Sequence, residues 1–260
     1  MTSQQSSNRT RVAAQHCQAA PSRVSRASRG FTLMEALIGM FILTLITGAI
    51  FSQLNQVQKA SASEATKLDL TQQAREFADQ IVRDLHMAGY PRSDMYSPAL
   101  PLSNHLVAAG LARVSPTEIL LEGDVETSGT VYSVDIQYVA TDPADPNCPC
   151  IRRSEIPKAD ADPLAQVHDA TSTFTQVEQV MPPGLGAGQS GEDLFTFFDK
   201  NGNQVNVAGG VDISTAGGQN TINSIQTVKI NLNLLSPNID PVTRLQQRIA
   251  LSVTGHLNNN

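Results

Sequence analysis

Residues 31–51, FTLMEALIGMFILTLITGAIF, carry one formal charge in 21 positions, and this run constrains the chain more than any other feature. About 20 consecutive apolar residues span a bilayer core as a helix. Its flanks set an orientation. Residues 1–30 hold Arg9, Arg11, Arg23, Arg26 and Arg29 and no acid, and a basic lead stays cytoplasmic while the following polypeptide crosses. The formal net charge of the whole chain is −6, so setting the five arginines aside leaves 13 basic against 24 acidic residues after Gly30, about −11. An acidic body disfavours nonspecific binding to nucleic acid or anionic lipid. With 260 residues there is room for a sizeable core in one or two domains.

Three readings compete for the apolar run. A cleaved secretory signal fits poorly, because the run is long, its lead is extended and Glu35 lies inside it. A plain signal anchor gains nothing from a carboxylate in the bilayer, where a charge costs at least a few kcal/mol. The third reading supplies Glu35 with a partner. Gly30-Phe31-Thr32-Leu33-Met34-Glu35 resembles the processing site of type IV prepilins and of the pseudopilins of type II secretion. The resemblance implies that a prepilin peptidase cuts between Gly30 and Phe31 on the cytoplasmic side and that the new Phe31 amine is N-methylated. Glu35 would then lie one helical turn from that amine, and during assembly it would pair with the amine of a neighbouring subunit. Such a buried pair is tolerated where a lone charge is penalised. The lead is longer than those of many prepilins, and the apolar helix contains Gly39 and Gly48 but no proline.

Helical periodicity continues past Phe51. Leu54, Val57, Ser61, Ala65 and Leu68 fall on one stripe, followed by Leu70, Ala74, Phe77, Ile81, Leu85 and Ala88. Steps of three and four predict an amphipathic helix, which should stop at Gly89-Tyr90-Pro91. The ending "RDLHMAGY" (Arg83 to Tyr90) and the later "DLFTFFDKNGNQV" (Asp193 to Val205) resemble the PilW group of minor pilins. No resemblance covers residues 95–190.

Beyond Pro91 the period changes to two. Tyr132, Val134, Ile136 and Tyr138 alternate with polar residues, as do Val228, Ile230, Leu232 and Leu234, and Ile249, Leu251 and Val253. These predict half-buried strands. Shorter candidates are Glu118 to Leu121, Phe174 to Val180, Leu194 to Phe198 and Gln204 to Val207, with long loops at Thr141 to Asn147 and Pro182 to Gly191. The expected fold is α+β: a long N-terminal helix, one half hydrophobic and the other amphipathic, packed on a mainly antiparallel β-sheet domain.

Other motifs carry little chemistry. Asp199 to Asn203, "DKNGN", has oxygen ligands at alternating positions but no closing glutamate, and Asn201-Gly202 signals a tight hairpin. "GLGAGQSG" lacks the Lys-Ser/Thr of a phosphate loop. His86, His105, His168 and His256 are scattered without nucleophile spacing, and His86 reads as a surface or interface residue. Arg83 and Asp84, near the helix end, could bond to the sheet or face solvent, the second being the expectation, and Arg152-Arg153 is expected to form a solvated strand edge. Cys148 and Cys150 could pair in a disulfide, stay as free thiols or bond elsewhere, since Cys-Pro-Cys is an awkward spacing for a bridge. One Cys-x-Cys is half a zinc site at best.

The chain is therefore expected to hold a leader (1–30), a transmembrane or filament-core half-helix (31–52), an amphipathic half-helix (53–89) and a β-rich periplasmic or extracellular domain (90–260). The resemblance implies a PilW-type minor pilin of a type IV pilus, anchored in the inner membrane with its N-terminus cytoplasmic and later part of a surface filament. It implies no catalysis, cofactor or metal. The implied partners are the prepilin peptidase/N-methyltransferase, other major and minor pilins, the inner-membrane assembly platform and, before assembly, membrane lipid, with no nucleic acid. A J-like type II secretion pseudopilin and a membrane-anchored periplasmic enzyme or binding protein are the alternatives.

Overall fold

The computed structural model describes residues 31–143, 145–146, 148–182, 193–240 and 243–258. The expected leader and most of the loop expected at Pro182 to Gly191 lie outside them. The chain divides into two units, residues 1–52 and 53–260. Helix α1 runs Leu33–Met87. Its residues up to Ser52 belong to the first unit and are exposed throughout.

The second unit takes the rest of α1 and two antiparallel sheets. Its strands are β1 (Gly110–Val114), β2 (Glu118–Gly123), β3 (Tyr132–Val139), β4 (Cys150–Pro157), β5 (Thr173–Val177), β6 (Phe195–Asp199), β7 (Gln204–Val205), β8 (Val211–Asp212), β9 (Ile225–Ile239) and β10 (Gln246–His256), with helix α2 (Ala216–Ser224) before β9. One sheet has the order β5-β4-β3-β2-β1-β8 and the other β10-β9-β6-β7. The two-residue alternation in β3 and β9 forms strands as expected. β1, β8 and α2 are findings beyond the sequence reading, β4 is interior where a solvated strand edge was expected, and the single expected sheet is two. α2 starts where the Thr215 side chain accepts the Gly218 N–H at 3.0 Å, the usual N-cap arrangement.

The core sits between the buried stripe of α1 and the sheets. Leu70 is buried, and Ala74, Phe77, Ile81, Leu85 and Ala88 are buried in one cluster with Leu111, Leu121, Val134, Ile136, Phe195, Phe197, Val228 and Ile230. Each large side chain buried this way contributes about 1.5–3 kcal/mol. The upstream part of the expected stripe does not join it: Leu54, Val57 and Leu68 are 50%, 63% and 70% exposed. α1 ends at Met87, and Gly89 follows with φ 79°, a left-handed conformation that suits glycine after a helix. Its N–H donates to the Glu122 carbonyl at 2.9 Å, and the Asp124 N–H donates to the Tyr90 carbonyl at 2.9 Å. The end of β2 is thereby stitched to the end of α1.

Asp84 and Arg153 correct two expectations. Asp84 is 3% exposed and lies on the buried stripe, where its Oδ2 accepts from Arg153 Nε at 2.9 Å. Arg153 also donates to Glu155. β4 is an interior strand between β3 and β5, so Arg153 enters the helix–sheet seam rather than a solvated edge. Arg152 points elsewhere and pairs with Asp142 at 2.6 Å. Arg83 is exposed, as expected, while His86 is half-buried. Burial pushes the Asp84 carboxyl up, and Arg153 opposes that shift. A second ion pair, Lys158 Nζ to Glu122 Oε2 at 2.6 Å, has both side chains 0% exposed. The same ammonium donates to the Leu102 carbonyl at 2.5 Å and the Val107 carbonyl at 2.7 Å, which holds the 102–107 loop on the sheet.

Gly255 and Gly123 mark close approaches of the sheets to α1. A Cβ on Gly255 of β10 would lie 2.7 Å from Leu85 Cδ1, and one on Gly123 would lie 2.4 Å from the Met87 carbonyl oxygen. Backbone cannot yield as a flexible side chain can, so Gly123→Ala should lower unfolding stability by about 1–3 kcal/mol. Gly217, inside α2, has nothing within 4 Å of its Cβ position, so Gly217→Ala should raise stability by about 0.5–1 kcal/mol. Denaturant unfolding of the two variants checks both signs.

Candidate functional site

The helix that carries Glu35 has a defined start. The Thr32 side chain accepts the Glu35 N–H at 3.3 Å, and the Thr32 carbonyl accepts the Glu35 and Ala36 N–H groups at 3.0 and 3.1 Å. Thr32 therefore acts as the N-cap. The Thr-x-x-Glu spacing has the form of a capping box, a signal that the sequence reading passed over. A carboxylate in the first turn also interacts favourably with the helix dipole, so Glu35 stabilises the helix start as well as offering an anion near Phe31. Phe31 is 76% exposed, and Gly30 lies outside the described residues.

From Leu33 to Ser52 the helix is exposed on every side. It is long and apolar enough to cross a membrane by length and composition. Its two mid-segment hydroxyls are already satisfied: Thr44 Oγ1 donates to the Phe41 carbonyl at 2.8 Å and Thr47 Oγ1 to the Leu43 carbonyl at 2.7 Å. Such back-bonding removes the cost of taking a hydroxyl into an apolar medium. Chemically, this segment can anchor, pack against other apolar surfaces and present one carboxylate to a cation.

In the outer unit, the structure gathers several polar groups. Cys148 and Cys150 form a disulfide with Cα atoms 4.3 Å apart. Asp145 lies beside them, with its Oδ2 3.9 Å from Cys148 Sγ and 2.9 Å from Thr175 Oγ1. A metal would need these sulfurs as thiolates, and the disulfide removes that state. His168 Nε2 lies 3.0 Å from Ser133 Oγ, and His168 Nδ1 lies 2.9 Å from Ser154 Oγ. This resembles a serine–histidine pair only in distance, because Ser133 is 0% exposed and cannot meet a substrate. Burial, then the positive charge of Arg113, holds His168 below its ordinary value, so the neutral imidazole bridges two hydroxyls. His105 pairs with Asp160 at 2.8 Å on the surface, and His256 Nδ1 lies 3.0 Å from Thr227 Oγ1. Asp199 closes the β6–β7 hairpin by accepting the Asn201 and Asn203 N–H groups, both at 2.8 Å, with Gly202 at φ 79°. The Asn203 bonds hold the Asp199 carboxyl below the usual range.

Residues 25–51 match the family described as the prokaryotic N-terminal methylation motif. The match supports a type IV pilin-like or pseudopilin protein, which is a structural class rather than an enzymatic one. It also implies processing by a prepilin peptidase and assembly with other pilins, and the long apolar helix at the start of the described residues fits an inner-membrane anchored pilin. No curated protein and no solved structure was found to match the chain.

Asp135 provides a test of the outer unit. Burial, then the nearby Glu118 carboxylate, raises its carboxyl from 3.8 to about 6, with Arg113 acting in the opposite direction. Its Oδ1 is buried without a hydrogen-bond partner. A folded-state value above the unfolded one means that the group's contribution is fully present below the unfolded value and lost as the pH rises through about 6. Asp135→Asn should therefore stabilise the protein by about 1–3 kcal/mol at roughly pH 7.5 and by much less at roughly pH 4. Denaturant unfolding of both proteins at the two pH values measures the difference.

Proposed function

We propose that this chain is a PilW-type minor pilin, a structural subunit of a type IV pilus that takes part in pilus assembly and initiation. The observation that carries the reading is a coincidence of place. The methylation motif spans residues 25–51, and within it a capped helix begins at Leu33 with Glu35 in its first turn and with its apolar side chains exposed to Ser52. In this reading the peptidase removes residues 1–30 by cutting after Gly30, Phe31 is N-methylated, and the cationic amine of one subunit pairs with Glu35 of another. The arginine-rich lead keeps the N-terminus cytoplasmic and the domain periplasmic until the subunit leaves the membrane for the filament or its tip. The endings at Arg83 to Tyr90 and Asp193 to Val205 support the PilW-type assignment over a J-like pseudopilin.

The subunit works by packing. An apolar helix leaves lipid for neighbouring helices, which costs little in hydrophobic terms because both surroundings are apolar. The charge pair then sets the register, since a carboxylate displaced from its partner would be left unpaired in a dry interface.

Mass spectrometry of the membrane-extracted protein should find an N-terminal peptide that begins with N-methylated Phe31. Any other mature N-terminus sinks the processing claim. Glu35→Ala should still be cut after Gly30 but should enter shed filaments at least about tenfold less than wild type, the size expected for leaving one buried amine unpaired. Equal filament content, or recovery of the protein with a secretion complex instead of pili, overturns the pilus assignment.

A further inference from the structure

The packing of β10 on α1 fixes where the turn between β9 and β10 lies along the helix. A Cβ on Gly255 would meet Leu85 Cδ1 at 2.7 Å and Val82 Cγ2 at 3.6 Å. Nearer the turn, the buried Gln247 side chain donates to Ser63 Oγ. From Gln247 to Gly255 the strand covers about 26 Å, and from Ser63 to Leu85 the helix covers about 33 Å. β10 therefore runs antiparallel alongside α1, and its start points down the helix toward Gln53, the first residue of the outer unit. Ser63 stands about 15 Å from Gln53, and Leu245 lies about 7 Å of strand beyond Gln247. Leu245 is thus about 8 Å from the level at which α1 leaves the outer unit. All of these residues belong to that unit.

The apolar run ahead of Gln53 matches a bilayer in length. Residues 31–51 span about 31 Å as a helix, against a hydrocarbon core of about 30 Å. In an anchored chain Gln53 therefore sits just outside the hydrocarbon, and the headgroup layer adds about 5–7 Å more. That brings lipid within a side chain's reach of the turn. The residues at this end suit the layer. Ile239, the last residue of β9, is 66% exposed and Leu245 is 70% exposed. In residues 53–63 and 239–248 the cations are Lys59, Arg244 and Arg248, all exposed, and the single acid is the buried Asp240. The Asp240 carboxylate is turned inward, where it accepts from the Thr243 N–H and Oγ1 at 3.1 and 2.6 Å. The acidic excess that keeps the rest of the domain off lipid headgroups is thus reversed here. Apolar side chains among long cations are the composition that settles into a membrane interface.

Lipid is the occupant that the anchor itself supplies, because headgroups surround Gln53 whenever residues 31–51 span a bilayer. A folded partner or a second copy needs about 20–30 residues a side for a stable interface, and two apolar side chains at one turn fall well short of that. We propose that the β9–β10 turn is a membrane-surface contact of the subunit before assembly. Ile239 and Leu245 enter the headgroup and upper acyl layer of the leaflet on the domain's side, and Arg244 and Lys59 lie at phosphate level. The domain is thereby held against the membrane from which its helix must later be drawn, and leaving for the filament means releasing the turn as well as the anchor. The inference rests on the membrane-anchored reading above.

The test uses the mature full-length chain with photo-leucine, a diazirine analogue, in place of leucine. It is reconstituted into vesicles of phosphatidylethanolamine and phosphatidylglycerol at a dilution that keeps chains apart. After illumination, mass spectrometry finds what each leucine has captured. Leu37, inside the apolar run, reports the anchor. Leu68 is the control, since it is 70% exposed like Leu245 but stands about 22 Å from Gln53. Leu245 should capture phospholipid at least about tenfold more than Leu68. Ile239→Ser combined with Arg244→Glu changes two exposed side chains, so unfolding should be unaltered while phospholipid capture at Leu245 falls at least about tenfold. Capture at Leu37 should not change. Phospholipid on Leu37 but not on Leu245, equal capture at Leu68 and Leu245, or capture at Leu245 that survives the double substitution overturns the inference and leaves the anchored reading standing. Cross-links from Leu245 to a second chain in place of phospholipid overturn the choice of occupant. No phospholipid on Leu37 removes the anchored reading and this inference with it.

Discussion

The buried stripe of α1 is apolar from Leu70 to Ala88 except at Asp84, and the contact of Asp84 with Arg153 fixes how helix and sheet can meet. An apolar stripe alone tolerates small slides and rotations, because hydrophobic attraction has no direction. A carboxylate at one point on the stripe does not. It must meet a cation, or it carries the full penalty of an unpaired buried charge. Arg153 supplies that cation from an interior strand and shares it with Glu155. The close passage of Gly255 against Leu85 and of Gly123 against Met87 depends on the same docking. One ionic contact among many apolar ones therefore selects a single arrangement.

This is also where sequence and structure part company. The helix, its stop before Gly89 and the alternating strands at residues 132–138 and 228–234 were legible because each depends on a local period. β4 was not legible. Its sequence CIRRSEIP places Arg152, Arg153 and Glu155 in an interior strand, and the partner that makes Arg153 burial tolerable is 69 residues away at Asp84. No window on the sequence sees that pairing. Glu122 and Lys158 pose the same problem across 36 residues. β1 and β8 were missed because short strands carry too little alternation to stand out. At the N-terminal segment, the Glu35 charge and the Arg-Gly-Phe start were readable, whereas the Thr32 cap was equally local and was overlooked.

Among the basic side chains of the outer unit, Arg153 and Lys158 are buried, while most of the others are exposed. Arg113, Arg152, Arg153 and Lys158 each pair with acids of their own domain, so they spend their charge on the fold. With the acidic excess after Gly30, this leaves a surface suited to repelling anionic polymers and lipid headgroups rather than gathering them. Among the described residues, the exposed large apolar side chains are concentrated in α1 before Ser52.

Lys158 has a practical consequence of another kind. An ammonium has three hydrogens, and here the carbonyls of Leu102 and Val107 and the carboxylate of Glu122 accept them all, with the side chain 0% exposed. Acylating reagents attack only a free, deprotonated amine, so this lysine stays silent while the domain is folded. Its labelling would mark the moment when the 102–107 loop lets go, which gives the chain a built-in reporter of local opening.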